Sequence, residues 1–309
     1  MALSPNLSGA LFMSISMAGY TLNDALIKFV LGNMNLGQVL LVRGGFATLL
    51  IVALAWHGRA LTMPREILHP MVALRVAGEV GGTICFVIAL AHMPLGNISA
   101  ILQALPLAVT MGAALFLAEP VGWRRWMAIL VGFVGVLIVV RPGFEGFTIF
   151  SLLALATVVF AAIRDIATRR IPDHVPSLLI STATTVAVTM VGAALMFPLG
   201  GWTPMAGTDT ALLAGAAVLL LFGYHFIITA MRVGDISFVA PFRYTALLWA
   251  MLAGFLMFAE VPDLPMILGA AIIVASGLYT LYRERQVTSH RPAASTTGPA
   301  TAPDGMTDR

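Results

Sequence analysis

Ten stretches of about 20 mostly apolar residues, joined by short connections, decide what this chain can fold into, because about 20 such residues cross the roughly 30 Å hydrocarbon core of a bilayer as a helix. They run Leu7 to Leu31, Leu36 to His57, Pro70 to Ala91, Leu95 to Ala118, Trp123 to Val140, Phe147 to Thr168, Val175 to Leu199, Asp209 to Met231, Asp235 to Ala259 and Pro262 to Tyr282. The connections GNMNLG, HMPLGN, RPGFEG, PLGGWTPMAGTD and EVPDLP are mostly turn chemistry. With 59% hydrophobic and 10% charged residues and a mean hydropathy of +0.95, an ordinary soluble domain is ruled out, since such domains are about a quarter charged. The expected fold class is an all-α integral membrane protein with ten transmembrane helices.

The chain states one plan twice. AHMPLGNIS, an apolar run closing at Glu119-Pro120 and a Gly-rich run closing at Arg141 return as AMRVGDIS, a run closing at Glu260-Val261-Pro262 and a run closing at Arg283. Matched landmarks keep a nearly fixed offset: 138 from Gly96 to Gly234, 141 from Glu119 to Glu260, 142 from Arg141 to Arg283. Asp24 with Lys28 is echoed 141 residues later by Asp165 with Arg169. The expected units are a five-helix repeat over 7–140, a second over 147–282 and a disordered cytoplasmic tail over 286–309, whose composition buries too little apolar surface to order itself.

Lys and Arg set the orientation. A cytoplasmic N-terminus puts Arg59, Arg65, Arg124, Arg125, Arg169, Arg170, Arg232, Arg283 and Arg285 inside and leaves Arg141 alone in an outer loop. Five helices per half is an odd number, so the second half enters from the opposite side. The repeats are then inverted in topology, an arrangement of transporters with a site near the midplane. The N-terminus MALSPNLSGALF lacks the basic region of a signal peptide and merges with the first span, so no cleavage is expected.

Ten spans in two inverted halves, Glu-Pro or Glu-x-Pro closing the fourth helix of each, and a Gly-rich helix following (Gly132, Gly135; Gly269, Gly277) resemble the EamA-type drug/metabolite transporter superfamily. The resemblance covers roughly residues 8 to 283. It is nearest to bacterial inner-membrane exporters of amino acids and related metabolites, and similar members also include importers of S-adenosylmethionine or riboflavin. It implies that the third, fourth, eighth and ninth spans line a central cavity and that the fifth and tenth are peripheral.

Polar residues at membrane depth carry the chemistry, because an ionisable group there costs about 2.5–3.5 kcal/mol on insertion scales. Glu79 lies in the small-residue stretch Gly78 to Gly82 of the third span, with Arg75 one turn earlier as a structural partner. His225 and Tyr224 occupy the matching span of the other half, and an acid facing a titratable base would suit a zwitterion. Arg43 snorkels or faces the interior. Gln103, Arg243, Tyr244 and Trp249 complete the candidate substrate-binding set, with Pro106 and Pro241 as kinks. Asp24/Lys28 and Asp165/Arg169, spaced to neutralise each other on one helix face, are candidate clasps or gates. Glu119 and Glu260 read as surface caps or loop anchors.

A lone Cys85 and the absence of clustered His and Asp exclude a disulfide framework and a metal centre, and no cofactor is expected. Neither HExxH nor GxxxxGK[ST] occurs, which leaves no catalytic constellation and no ATP-driven pump. A channel would show a repeated polar ring rather than scattered single residues. The expected function is secondary transport in the bacterial inner membrane, both termini cytoplasmic, exporting amino acids and related small metabolites; the alternative is import of a larger metabolite such as S-adenosylmethionine or riboflavin. The partners are a small-molecule substrate and the lipid bilayer, with no nucleic acid. A homodimer is compatible, though a monomer suffices.

Overall fold

The computed structural model describes residues 4–57, 68–119, 121–142, 148–172 and 174–289. These residues form α1 (Pro5–Leu31), α2 (Leu36–His57), α3 (Pro70–His92), α4 (Leu95–Leu102), α5 (Leu105–Phe116), α6 (Trp123–Val140), α7 (Ile149–Arg169), α8 (Ser177–Met196), α9 (Gly207–Val233), α10 (Ile236–Val239), a 3-10 turn (Ala240–Tyr244), α11 (Thr245–Phe258) and α12 (Leu264–Ser289). The loop arginines Arg59 and Arg65, Pro120 of the Glu-Pro motif, Phe147 and the tail beyond Ser289 lie outside the described residues.

Among the described residues nine segments are long and apolar enough to cross a membrane, the α4–α5 pair counting as one. The tenth expected span, α1, is long enough at 27 residues but more polar, and it packs against α2, α3, α9, α10, α11 and the 3-10 turn. Ser4 caps its start by accepting from the Leu7 N–H at 3.3 Å, with Pro5 in the first turn where no donor is missed. Sequence boundaries shift elsewhere. The fourth span breaks at Gln103–Ala104 and the ninth at the 3-10 turn, next to Pro106 and Pro241, while α12 runs past Tyr282 to Ser289.

Exchanging the halves maps α1 onto α7, α2 onto α8, α3 onto α9, the α4–α5 span onto the α10–α11 span, and α6 onto α12. The observed helix pairs are α1 with α9, α3 with α7, α2 with α8, α6 with α12 and α4 with α11. That set is unchanged by the exchange, as the two inverted five-helix repeats require. Close approach rests on small residues, because lipid supplies no hydrophobic drive between helices. A Cβ on Gly135 of α6 would sit 2.8 Å from the Gly269 carbonyl of α12, and one on Gly269 would sit 2.6 Å from the Gly135 carbonyl. Ser16 of α1 donates at 2.7 Å to the Gly223 carbonyl of α9, burying a hydroxyl with its partner supplied.

The two halves also end alike. Ala118 (φ 53°) and Ala259 (φ 55°) adopt the left-handed conformation, and the next residues, Glu119 and Glu260, return their N–H groups to the Ala113 and Gly254 carbonyls at 3.3 and 3.0 Å. Each of these pairs of positions is 141 residues apart. The caps turn two glutamates off their helix ends toward the opposite half.

Candidate functional site

Two adjoining cavities lie inside the bundle, and α1 forms a wall of both through Tyr20 and Asp24. The larger, about 550 Å³, is bounded by α1, α4, α5, the end of α7, the 3-10 turn and α11; its polar lining includes Ser99, Gln103, Thr110, Asp165, Thr168, Arg169, Arg243 and Tyr244. The smaller, about 290 Å³, lies among α1, α2, α3, α8 and α9 and is lined by Asn23, Arg43, Arg75, Glu79, Thr83, Thr184 and Tyr224. Tyr20 and Tyr224 meet edge to face with centroids 5.7 Å apart, giving the second cavity an aromatic flank.

Hydrogen bonds link the charged groups in short relays. Arg43 Nε donates to Asn23 Oδ1 at 3.2 Å, and Asn23 Nδ2 donates to Asp24 Oδ1 at 2.8 Å. Arg164 of α7 donates to Glu79 Oε2 at 3.2 Å and to Asp165 Oδ1 at 2.8 Å. Arg75 Nη1 donates to Thr184 Oγ1 at 2.5 Å. Three carboxylates (Asp24, Glu79, Asp165) therefore stand among Arg43, Arg75 and Arg164, and Arg243 of the larger cavity adds a further guanidinium, so both signs of charge are present together. Such a cluster disfavours a bare ion and accommodates a molecule carrying both charges, since charges at this depth persist only when compensated.

Several expectations are corrected. Glu79 is held by Arg164 across the halves, whereas Arg75, one turn before it, reaches Thr184. His225 does not join Glu79: its side chain is exposed, meets Phe226 edge to face, and lines neither cavity. Successive residues on a helix point about 100° apart, so turning Tyr224 to the cavity turns His225 away. Trp249 likewise lies off the cavities and donates to the Ser14 carbonyl at 3.1 Å, clasping α11 to α1. Gln103, Arg243 and Tyr244 do line the larger cavity, with Tyr244 at 7% exposure. The lining also extends to α1, α2, α7 and α8, beyond the four spans expected.

The i to i+4 clasps do not form. Lys28 pairs with Glu260 at 2.7 Å, its Nζ also donates to the Met93 carbonyl at 2.5 Å, and the second Glu260 oxygen accepts from the Leu95 N–H at 2.7 Å. Arg169 pairs with Glu119 at 3.4 Å. These two ion pairs are each other's counterparts under the 141-residue offset, and each crosses between halves. They are unequal: the Lys28–Glu260 side chains are 13% and 19% exposed, the Arg169–Glu119 side chains 52% and 48%. Arg169 borders the larger cavity and Lys28 does not, so the end bearing Lys28 is the more tightly closed and the end bearing Arg169 the looser one. Asp24 and Asp165, freed from their expected partners, face that cavity.

Sequence reasoning passed over Tyr20, Asn23, Arg164 and Thr184. The signal was present in the same offset, which pairs Asn23-Asp24 with Arg164-Asp165.

The model of the EamA-like transporter family matches the chain twice, over residues 7–141 and 148–282. The chain belongs to the EamA-like transporter family. It is 26% identical over 297 residues to an S-adenosylmethionine uptake transporter of Rickettsia felis, covering 94% of this chain and 98% of that one. It is 35% identical over 205 residues to a riboflavin transporter of Vibrio cholerae, covering 66% and 68%, and 27% identical over 279 residues to the pseudopaline exporter CntI of Pseudomonas aeruginosa, covering 87% and 94%. A crystal structure of a protein superposes with a TM-score of 0.59 over 93% of this chain and all of its own at 15% identity, a likeness of fold alone. This EamA-family chain is thus a multi-pass membrane transporter, its relatives bacterial carriers of small molecules.

Proposed function

We propose that this transporter moves zwitterionic metabolites built on an amino-acid head group, by alternating access between its two halves. The observation that carries the reading is the balanced cluster of Asp24, Arg43, Arg75 and Glu79 around one cavity, flanked by Tyr20 and Tyr224. Of the two readings offered by the sequence, cavity size favours the larger metabolite over a single amino acid. The cluster's own cavity is about 290 Å³, and the one adjoining it across the Tyr20–Asp24 wall, about 550 Å³, falls within the roughly 300–1,000 Å³ typical of sites for drug-sized ligands. The near full-length likeness to S-adenosylmethionine uptake transporters supports the same choice, and S-adenosylmethionine carries an amino-acid head, a sulfonium and a purine ring.

In this reading the protein sits in the bacterial inner membrane with both termini cytoplasmic. The arginine clusters at Arg124–Arg125 and Arg169–Arg170 then lie inside, and the more tightly closed Lys28–Glu260 end faces outward. Glu260 with Lys28 and Glu119 with Arg169 act as the two gates, closing in alternation as the halves rock.

The test is uptake and efflux of labelled S-adenosylmethionine, methionine and riboflavin in proteoliposomes, with and without a pH gradient. Saturable S-adenosylmethionine transport, competed by other zwitterions bearing an amino-acid head, is the expected result. Transport of riboflavin with neither of the other two moved overturns the substrate assignment.

A further inference from the structure

The fourth and ninth spans are interrupted at corresponding places. Gln103, at the end of α4, and Arg243, in the 3-10 turn, stand 140 residues apart in the repeat, and both line the larger cavity. Broken helices at membrane depth are tolerated where they border a cavity, and paired breaks in inverted repeats are where transporters gather their polar contacts.

The side chains of Gln103 and Arg243 have no partners among the described residues. The Arg243 guanidinium makes no hydrogen bond and no ion pair among the described residues, whereas Arg43, Arg75, Arg164 and Arg169 each make at least one. The Gln103 side chain, in a residue 9% exposed, makes none either among those residues. Of the charged residues of this cavity, Asp165 and Arg169 are in ion pairs. Asp24 and Arg243 are in no direct ion pair among the described residues: the carboxylate of Asp24 accepts from the Asn23 amide, which stands between it and Arg43. The cavity therefore presents, on different helices, one cation and one anion that are in no direct ion pair among the described residues.

We propose that Arg243 and Gln103 form a carboxylate subsite, and that Asp24 on the shared wall takes the cationic group of the same molecule. The planar fork of Arg matches a carboxylate with two parallel N–H donors, and the Gln amide adds a third. This rests on the zwitterion reading above and adds to it which pole goes where: the carboxylate sits at the broken helices and the ammonium or sulfonium at α1.

The experiment measures binding of S-adenosylmethionine and of its decarboxylated analogue, which lacks only the carboxylate, to the purified full chain. The wild type should favour S-adenosylmethionine by about tenfold or more. Arg243→Gln should lower that ratio toward one by weakening S-adenosylmethionine alone, and Arg243→Lys should restore part of it. Asp24→Asn should weaken both ligands and keep the ratio. Because Arg243 has no partner among the described residues, Arg243→Gln strands no charge there, and unchanged yield and monodispersity serve as its folding control. A ratio that persists in Arg243→Gln, or an equal weakening of both ligands, overturns the subsite. Failure of the wild type to bind S-adenosylmethionine overturns the substrate assignment alone, and the same ratio is then read with methionine against methioninamide. If only riboflavin binds, both fall.

Discussion

Breaking the Lys28–Glu260 pair should open the more tightly closed end of the protein, and its magnitude follows from its surroundings. A fully buried pair costs about 3–5 kcal/mol to break by removing one partner, an exposed pair about 0–1 kcal/mol. At 13% and 19% side-chain exposure the pair lies toward the buried limit, so Glu260→Gln, which strands the Lys28 ammonium, should cost about 2–3 kcal/mol in the closed state. At about 1.4 kcal/mol per tenfold, the ratio of closed to open protein should fall roughly 30- to 150-fold. The counterpart Arg169–Glu119, about half exposed at 3.4 Å, should yield no more than about 1 kcal/mol and fivefold on Arg169→Met. The double variant Lys28→Met with Glu260→Gln should cost less than the two singles together, because neither charge is then stranded. The assay is labelling of a cysteine at Ser99 by an impermeant reagent applied from the Lys28 side, in a Cys85→Ala background. Unchanged labelling in Glu260→Gln, or a larger effect from Arg169→Met, refutes the reasoning.

Three further outcomes are expected. Ala259→Gly, at φ 55°, should stabilise the protein by about 1 kcal/mol by removing the left-handed Cβ penalty, read as a raised melting midpoint in detergent. Gly135→Ala should lower that midpoint by about 1–3 kcal/mol of stability, since its Cβ would meet the Gly269 carbonyl at 2.8 Å and backbone has little room to give. The Asp263 carboxyl, outside the membrane spans, is held below the usual carboxylate range chiefly by a hydrogen bond from Arg141 and also by the Met266 N–H. A depressed folded-state value means its contribution is complete above the unfolded value, about 3.9, and is lost as pH falls through the lower folded value. Asp263→Asn should therefore lower stability at neutral pH, flatten the acid side of the profile, and converge with the wild type below the folded value.

The sequence carried the fold further than the site. Apolar runs fix helix existence in a membrane because unpaired backbone has no alternative there, and the 141-residue offset exposed the repeat, including the glutamates that the structure turns into cross-half partners. Local spacing misled at Lys28. Its i−4 neighbour Asp24 sits one turn deeper toward the cavity, and the long lysine side chain instead reaches a capped helix end, where Glu260 and the Met93 carbonyl are both within reach. His225 failed for another reason. Helix α9 is apolar on nearly every face, so no stripe in the sequence fixes its rotation and Tyr224 and His225 were indistinguishable. Arg164 was legible in principle, as an arginine at membrane depth next to Asp165, but its partner Glu79 lies 85 residues away and only the packing of α3 on α7 brings them together.

The central claim is that a single cavity system is exposed alternately by two inverted halves. Counterflow tests it most directly: proteoliposomes loaded with unlabelled S-adenosylmethionine and diluted into a trace of labelled compound should show a transient overshoot of label that saturates with external concentration. Label that rises only to equilibrium, without overshoot or saturation, and single-channel conductance from the same protein would contradict it.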